Sequence, residues 1–203
     1  MSALLYENAK ILLTAICIIA FSWLIEYCWP AHKDPGLKFR INNLVLFAFL
    51  LLGLLILPFV ARVCAIFLPD TALIDRIFPG WEHNGVRETI MAIFIYALVW
   101  DVFQYWTHRA QHVFPKLWLF HRVHHSDRAM NASTSLRQSL GSVLLGYLFV
   151  HLPTLMVCGT HLLPYFGSII LFSGWGYLNH ANVRVSFGTM TNTTVITPHF
   201  FLL

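Results

Sequence analysis

Five histidines fall within eighteen residues of this chain: His108, His112, His121, His124 and His125. On a helix, His108 and His112 share a face with Cβ atoms about 5–6 Å apart, so one metal ion could take both imidazoles. After Pro115 comes LWLFHRVHH, in which His121, His124 and His125 stand at i, i+3 and i+4 and are expected on one helical face. Neutral imidazole suits iron, zinc or copper, and several nitrogens without thiolates argue against an iron–sulfur cluster. One histidine alone reads most simply as a hydrogen-bonded core residue; HxxxH followed by HxxHH reads as a metal site. A zinc protease fits poorly, because HRAQH lacks the Glu of HExxH.

At about 100° per residue, Asp101, Tyr105, His108 and His112 form one narrow polar stripe on an otherwise apolar helix. An ionisable group inside such a run is costly unless paired, so Asp101 is expected to accept an imidazole N–H and fix the ring. Glu26, in EYCWP, is expected to snorkel at an interface. His32 and His83 have no partner spacing. His151 and His161 fall in an apolar stretch and are expected to pack or line rather than ligate.

The elements that must carry these residues are read from hydropathy. Hydrophobic residues make up 58% of the 203, and charged residues 11%, against the roughly 25% charged of a soluble domain. Residues 10–29 are long enough to cross a hydrocarbon core of about 30 Å, and a second apolar run covers about 44–68 with Pro58 as a kink. A loop with an interfacial turn at Trp81 follows, then a proline-free helix over about 87–114. Residues 141–180 read as a hairpin of two shorter spans turning near Gly159–Pro164, with one span plus a re-entrant piece as the alternative. The expectation is an all-α membrane protein of about four to five transmembrane or re-entrant helices under a cytosolic histidine-rich helical cap. It forms a single membrane domain, 1–203, with N-terminal spans and loop at 1–87 and the histidine-box region at 88–203.

Charge supports this layout. The net charge of +4 comes from Lys and Arg scattered between apolar runs, without the basic block that a nucleic-acid partner would need. Nine of the thirteen cations (Lys33, Lys38, Arg40, Arg109, Lys116, Arg122, Arg128, Arg137 and Arg184) fall on one side, which the positive-inside rule makes cytoplasmic. That side carries the histidines, so they face the cytoplasm, at a bacterial inner membrane or an endoplasmic reticulum. Cys17, Cys28, Cys64 and Cys158 form no CxxC pair and read as small buried hydrophobes.

DVFQYWTHRAQH, LWLFHRVHHSDRAMNASTSLRQ, YLNHANV and ITP resemble the fatty acid hydroxylase/sterol desaturase superfamily over most of 96–198, and EYCWP and RINN resemble its amino-terminal half. The resemblance implies a membrane enzyme whose histidine-rich dimetal centre uses O2 to hydroxylate or desaturate lipid chains, sterols or carotenoids. It makes His108, His112, His121, His124 and His125 ligands, with His180 in NHAN as a further one. Arg137, Gln138, Ser139 and Leu140 stand where many members have Arg-x-His-Pro, which is closer to the bacterial and alkylglycerol-monooxygenase-like branch. The family runs on from its Thr-Pro element into a last HxxHH box; here Thr197-Pro198-His199-Phe200-Phe201 leaves that box absent and His199 off its position.

Oxidising an unactivated C–H bond needs a redox metal, which excludes zinc. The expected cofactor is therefore iron, two non-haem ions in a complete site, with O2 as co-substrate, a lipid substrate and a separate electron-donor protein. One alternative is a metal-deficient, inactive, truncated member of the same family. Another is a membrane metal-binding or transport protein, which would place its ligands near the bilayer midplane rather than beyond a span's end.

Overall fold

The computed structural model describes residues 2–32, 36–53, 66, 71–77, 79 and 85–184, and nearly all of them are helical or in turns. Helices α1 (Ser2–Cys28) and α2 (Leu37–Gly53) are followed by a short α3 (Leu73–Ile77) and the long α4 (Val86–Val113). Then come α5 (Pro115–His121), two 3-10 turns at His124–Ser126 and Ala132–Leu136, and α6 (Leu140–Gly146). A π turn at Tyr147–His151 leads into α7 (Leu152–Cys158), and α8 (Leu162–His180) completes the described helices. No β-strand occurs among the described residues, although Pro30 and Val183 form an isolated antiparallel bridge. Residues 54–65, with Pro58 and Cys64, lie outside the described set, as do Trp81, His83 and His199.

Proline decides where α4 stops. Pro115 pushes Phe114 into an extended conformation (φ −94, ψ 118) and itself opens α5, because a first helical position needs no N–H. The chain folds back at this elbow, and the two helices pack together.

Leu140–Cys158 is one 19-residue helix of mean hydropathy 1.8, long and apolar enough to cross a membrane. Pro153 lacks an N–H and cannot serve the Phe149 carbonyl one turn back. The helix accommodates this with the π turn, in which Leu152 donates to Tyr147, and the Thr107 hydroxyl of α4 approaches the Phe149 carbonyl at 3.4 Å. The expected turn between two helices is present. Gly159, at φ 90 and ψ −175, makes its turn, and Tyr96 Oη donates to the carbonyls of Cys158 at 2.8 Å and Gly159 at 3.0 Å.

Ile19, Ala132, Leu136, Tyr177, Ala181 and Val183 form a buried cluster joining α1, the second 3-10 turn and the end of α8. Glu26 sits beside it and corrects the sequence expectation. Instead of snorkelling it is 2% exposed and ion-paired to Arg40 of α2 at 2.5 Å. Its backbone partners, Ala132 and Asn182, lie far away in sequence, so nothing local marked it as internal. Cys17 and Cys28 are exposed rather than buried, whereas Cys158 is buried as expected.

Candidate metal centre

The elbow at Pro115 brings α5 over the end of α4, so that His121 meets the His108–His112 pair. His108 and His112 stack with centroids 4.8 Å apart and planes 8° from parallel, as i, i+4 neighbours do. Their Nε2 atoms are 2.8 Å apart; His121 Nε2 lies 3.2 Å from His108 Nε2 and 3.0 Å from His125 Nε2. One ligand atom from each of these four histidines lies within 4.8 Å of the others. Two imidazole nitrogens cis on an ion with metal–nitrogen bonds of about 2.1 Å would be about 3.0 Å apart, so the observed spacings fit a shared ion.

His124 does something different. The expected single helical face for His121, His124 and His125 breaks after His121, where the chain turns and tightens into the 3-10 segment His124–Ser126. His125 thereby joins the four-histidine group, while His124 turns to His180 at the end of α8, with Nε2 atoms 3.0 Å apart. The His180 Nδ1 lies 2.7 Å from the Gly176 carbonyl, which only accepts, so Nδ1 carries the proton and Nε2 presents its lone pair. The His124 Nδ1 faces the Arg137 carbonyl at 3.3 Å, with the Gln138 amide at 3.4 Å. Assigned by the same carbonyl rule, both Nε2 atoms point lone pairs at one another, and a cation between them turns that repulsion into ligation.

Burial differs across the cluster. His121 and His124 are buried, His108 and His180 half-buried, and His112 and His125 exposed beside a shallow groove lined by Val113, Pro115 and Trp118. Burial, and then repulsion from His108 and the other imidazoles, pushes His121 down to about 2. Burial, followed by His180 and His125, holds His124 at about 3. Both rings are therefore neutral at pH 7, the form that ligates. His121 Nδ1 is buried without a hydrogen-bond partner.

The other sequence expectations fall as follows. Asp101 is exposed, two turns before His108, and the ring-fixing role expected of it is taken at His124 and His180 by backbone carbonyls. His151 hydrogen-bonds Tyr165 at 2.9 Å and packs on Trp100, and His161 meets Asp75 at 3.1 Å. As expected, neither joins the cluster. Sequence reasoning missed the support around His124. Asn43 accepts from Arg137 and donates to Asp127 and Ser133, and Asn131 caps the second 3-10 turn through a capping box. The RINN motif was the available signal, but it did not say what Asn43 would hold.

The family model for fatty acid hydroxylases matches residues 93–201, more than half of the chain and all six clustered histidines. The chain belongs to the fatty acid hydroxylase family. A stretch of 49 residues is 43% identical to an alkylglycerol monooxygenase of Danio rerio, covering 24% of this chain and 11% of that relative. The match thus spans about a tenth of the relative's length. No solved structure matches this fatty acid hydroxylase family chain.

Proposed function

We propose that the protein is an O2-dependent, non-haem diiron enzyme that hydroxylates or desaturates a C–H bond in a fatty acid, sterol or related lipid. The observation that carries this reading is the pair of adjoining nitrogen sets, four imidazoles converging from α4, α5 and the first 3-10 turn, and the His124–His180 pair beside them. His108, His112, His121 and His125 would hold one ion; His124 and His180 would be the described part of the second ligand set. Bound iron supplies the O2 activation that an unactivated C–H bond demands and zinc cannot provide. The chain's own contribution is to keep His121 and His124 neutral, to orient the rings and to leave the centre open on the His112–His125 side. A transport protein would place such ligands mid-span, whereas His108 and His112 lie in the last turns of α4 and His180 closes α8.

On this reading four to five helices cross or enter the bilayer and the cap faces the cytoplasm, at a bacterial inner membrane or an endoplasmic reticulum. A lipid reaches the centre from the hydrocarbon side, and a separate protein supplies electrons. The test is anaerobic reconstitution of the purified chain with Fe2+, followed by metal analysis and O2 uptake with lipid and a reductant. Iron bound through the six histidines and lipid-dependent O2 consumption are expected. A protein that takes up zinc but no iron would sink the proposal.

A further inference from the structure

Both oxygens of the buried Glu26 carboxylate are engaged, and its partners explain its place. Oε1 accepts the backbone N–H of Ala132 at 2.6 Å and of Asn182 at 2.8 Å, while Oε2 accepts from Arg40 at 2.5 Å. Those two N–H groups belong to the segments that deliver His124 and His180. Asn182 lies two residues past His180, and Ala132 opens the 3-10 turn that ends beside Arg137, whose carbonyl faces His124 Nδ1. The surrounding polar groups tie the same segments to the first two helices. Arg137 donates to Asn43 of α2 at 2.9 Å, and the Asn182 amide pairs with both backbone groups of His32 at 3.0 Å. The four-histidine group is carried instead by α4, α5 and the turn after them. A buried ion pair is a weak source of stability compared with apolar packing of the same volume, so what Glu26 holds in place matters more here than the pair itself.

We propose that Glu26 is a positioning residue for the His124–His180 pair. One carboxylate pins the segment after His124 and the segment after His180 to a single point at the end of α1, and this sets the separation of two imidazoles 56 residues apart in sequence. The four-histidine group assembles without it. The inference rests on the metal-centre reading above, and its test separates the two.

The full chain, wild type and Glu26→Ala, is purified in detergent and titrated with Co2+ by visible absorption. The metal-free proteins are carbethoxylated with diethyl pyrocarbonate, and each modified histidine is identified by mass spectrometry. In Glu26→Ala, Co2+ binding that depends on His180 weakens by about tenfold or more, the usual effect of losing outer support, while binding that depends on His108 is unchanged. His124 and His180 are carbethoxylated several times faster, and His108, His112, His121 and His125 at wild-type rates. Unchanged labelling of His124 and His180, or equal acceleration of all six, overturns the proposal. If Glu26→Ala is not recovered folded, Glu26→Asp replaces it and is judged on the same outcomes; it keeps a charge for Arg40 but draws the carboxylate back by one methylene. A wild-type chain that binds no Co2+ overturns the metal reading, while the labelling pattern still decides the role of Glu26.

Discussion

At the scale of single residues, the proton on one imidazole nitrogen determines what the other can do. His180 must donate from Nδ1 to the Gly176 carbonyl, so its Nε2 carries the lone pair that can ligate, and it points at His124 rather than at the four-histidine group. The two sets should therefore fail separately. His108→Ala is expected to lose metal from the four-histidine position, and His180→Ala to lose it only from the second position, each by at least about tenfold in affinity. Metal analysis of both purified variants checks this, and unchanged occupancy in both would contradict the ligand assignment. Proton linkage gives a second expectation. His121 and His124 are depressed to about 2 and about 3 when folded, against about 6.5 when unfolded, so below 6.5 the unfolded chain binds more protons. Their contribution to stability is complete above that value and is lost as pH falls toward 3. The melting temperature of the metal-free protein should be flat above pH 7 and fall between about 6.5 and 4.5, where most carboxylates are still ionised. His124→Gln should flatten that slope; an equally steep slope in the variant would assign the effect elsewhere.

Among the elements, those readable in the sequence have local causes. The helix expected at 87–114 is found at Val86–Val113 because Pro115 is a local stop, and the hairpin appears because Gly159 breaks an apolar run. Gly159 occupies backbone space that is essentially reserved for glycine, and an added Cβ would lie 2.9 Å from His161 and 3.0 Å from Ala72. Gly159→Ala is expected to lower stability by about 1–3 kcal/mol in thermal melts in detergent. Metal stoichiometry should not change, because the turn lies at the opposite end of the hairpin from His180; a selective loss of metal would tell against that separation. The misread elements have causes that periodicity does not register. HxxHH looked like one helix, but Ser126 Oγ bonds the Val123 carbonyl and Asp127 Oδ1 takes the Ala129 N–H, local bonds that compete with helical continuation. The Ser-Asp pair was a legible warning. Glu26 was not legible, since the N–H groups it accepts are 106 and 156 residues away. All six clustered histidines were named from spacing and resemblance, yet their division into four and two depends on where α5 ends.

Across the described residues, many large apolar side chains face outward while several polar ones are buried. Glu26, Arg40, Asn43, Asn131 and Ser168 are buried, while Phe21, Leu98, Trp106 and Leu163 are each more than half exposed. Such a surface suits hydrocarbon, and in the membrane arrangement proposed above a polar end belongs at each side of the bilayer. One end carries the histidines; the other carries the Gly159 turn with Asp75 and His161. The charge argument for orientation needs one revision. Arg40 is buried against Glu26 and Arg137 is bonded to Asn43, so both serve the fold rather than the topology. Among the described side chains, Lys38, Arg109, Lys116, Arg122, Arg128 and Arg184 remain exposed at the histidine end, against Arg76 and Arg87 at the other. Six against two still favours the cytoplasmic orientation proposed above under the positive-inside rule. With the native cysteines replaced by serine, Lys116→Cys should react with a membrane-impermeant maleimide only after the cytoplasmic side is opened. Thr160→Cys should react in intact cells. Reversed accessibility would invert the orientation and put the centre on the side away from cytoplasmic electron donors. Labelling of both positions from one side would mean that the hairpin does not cross, and the hydrocarbon route to the histidines would be lost with it.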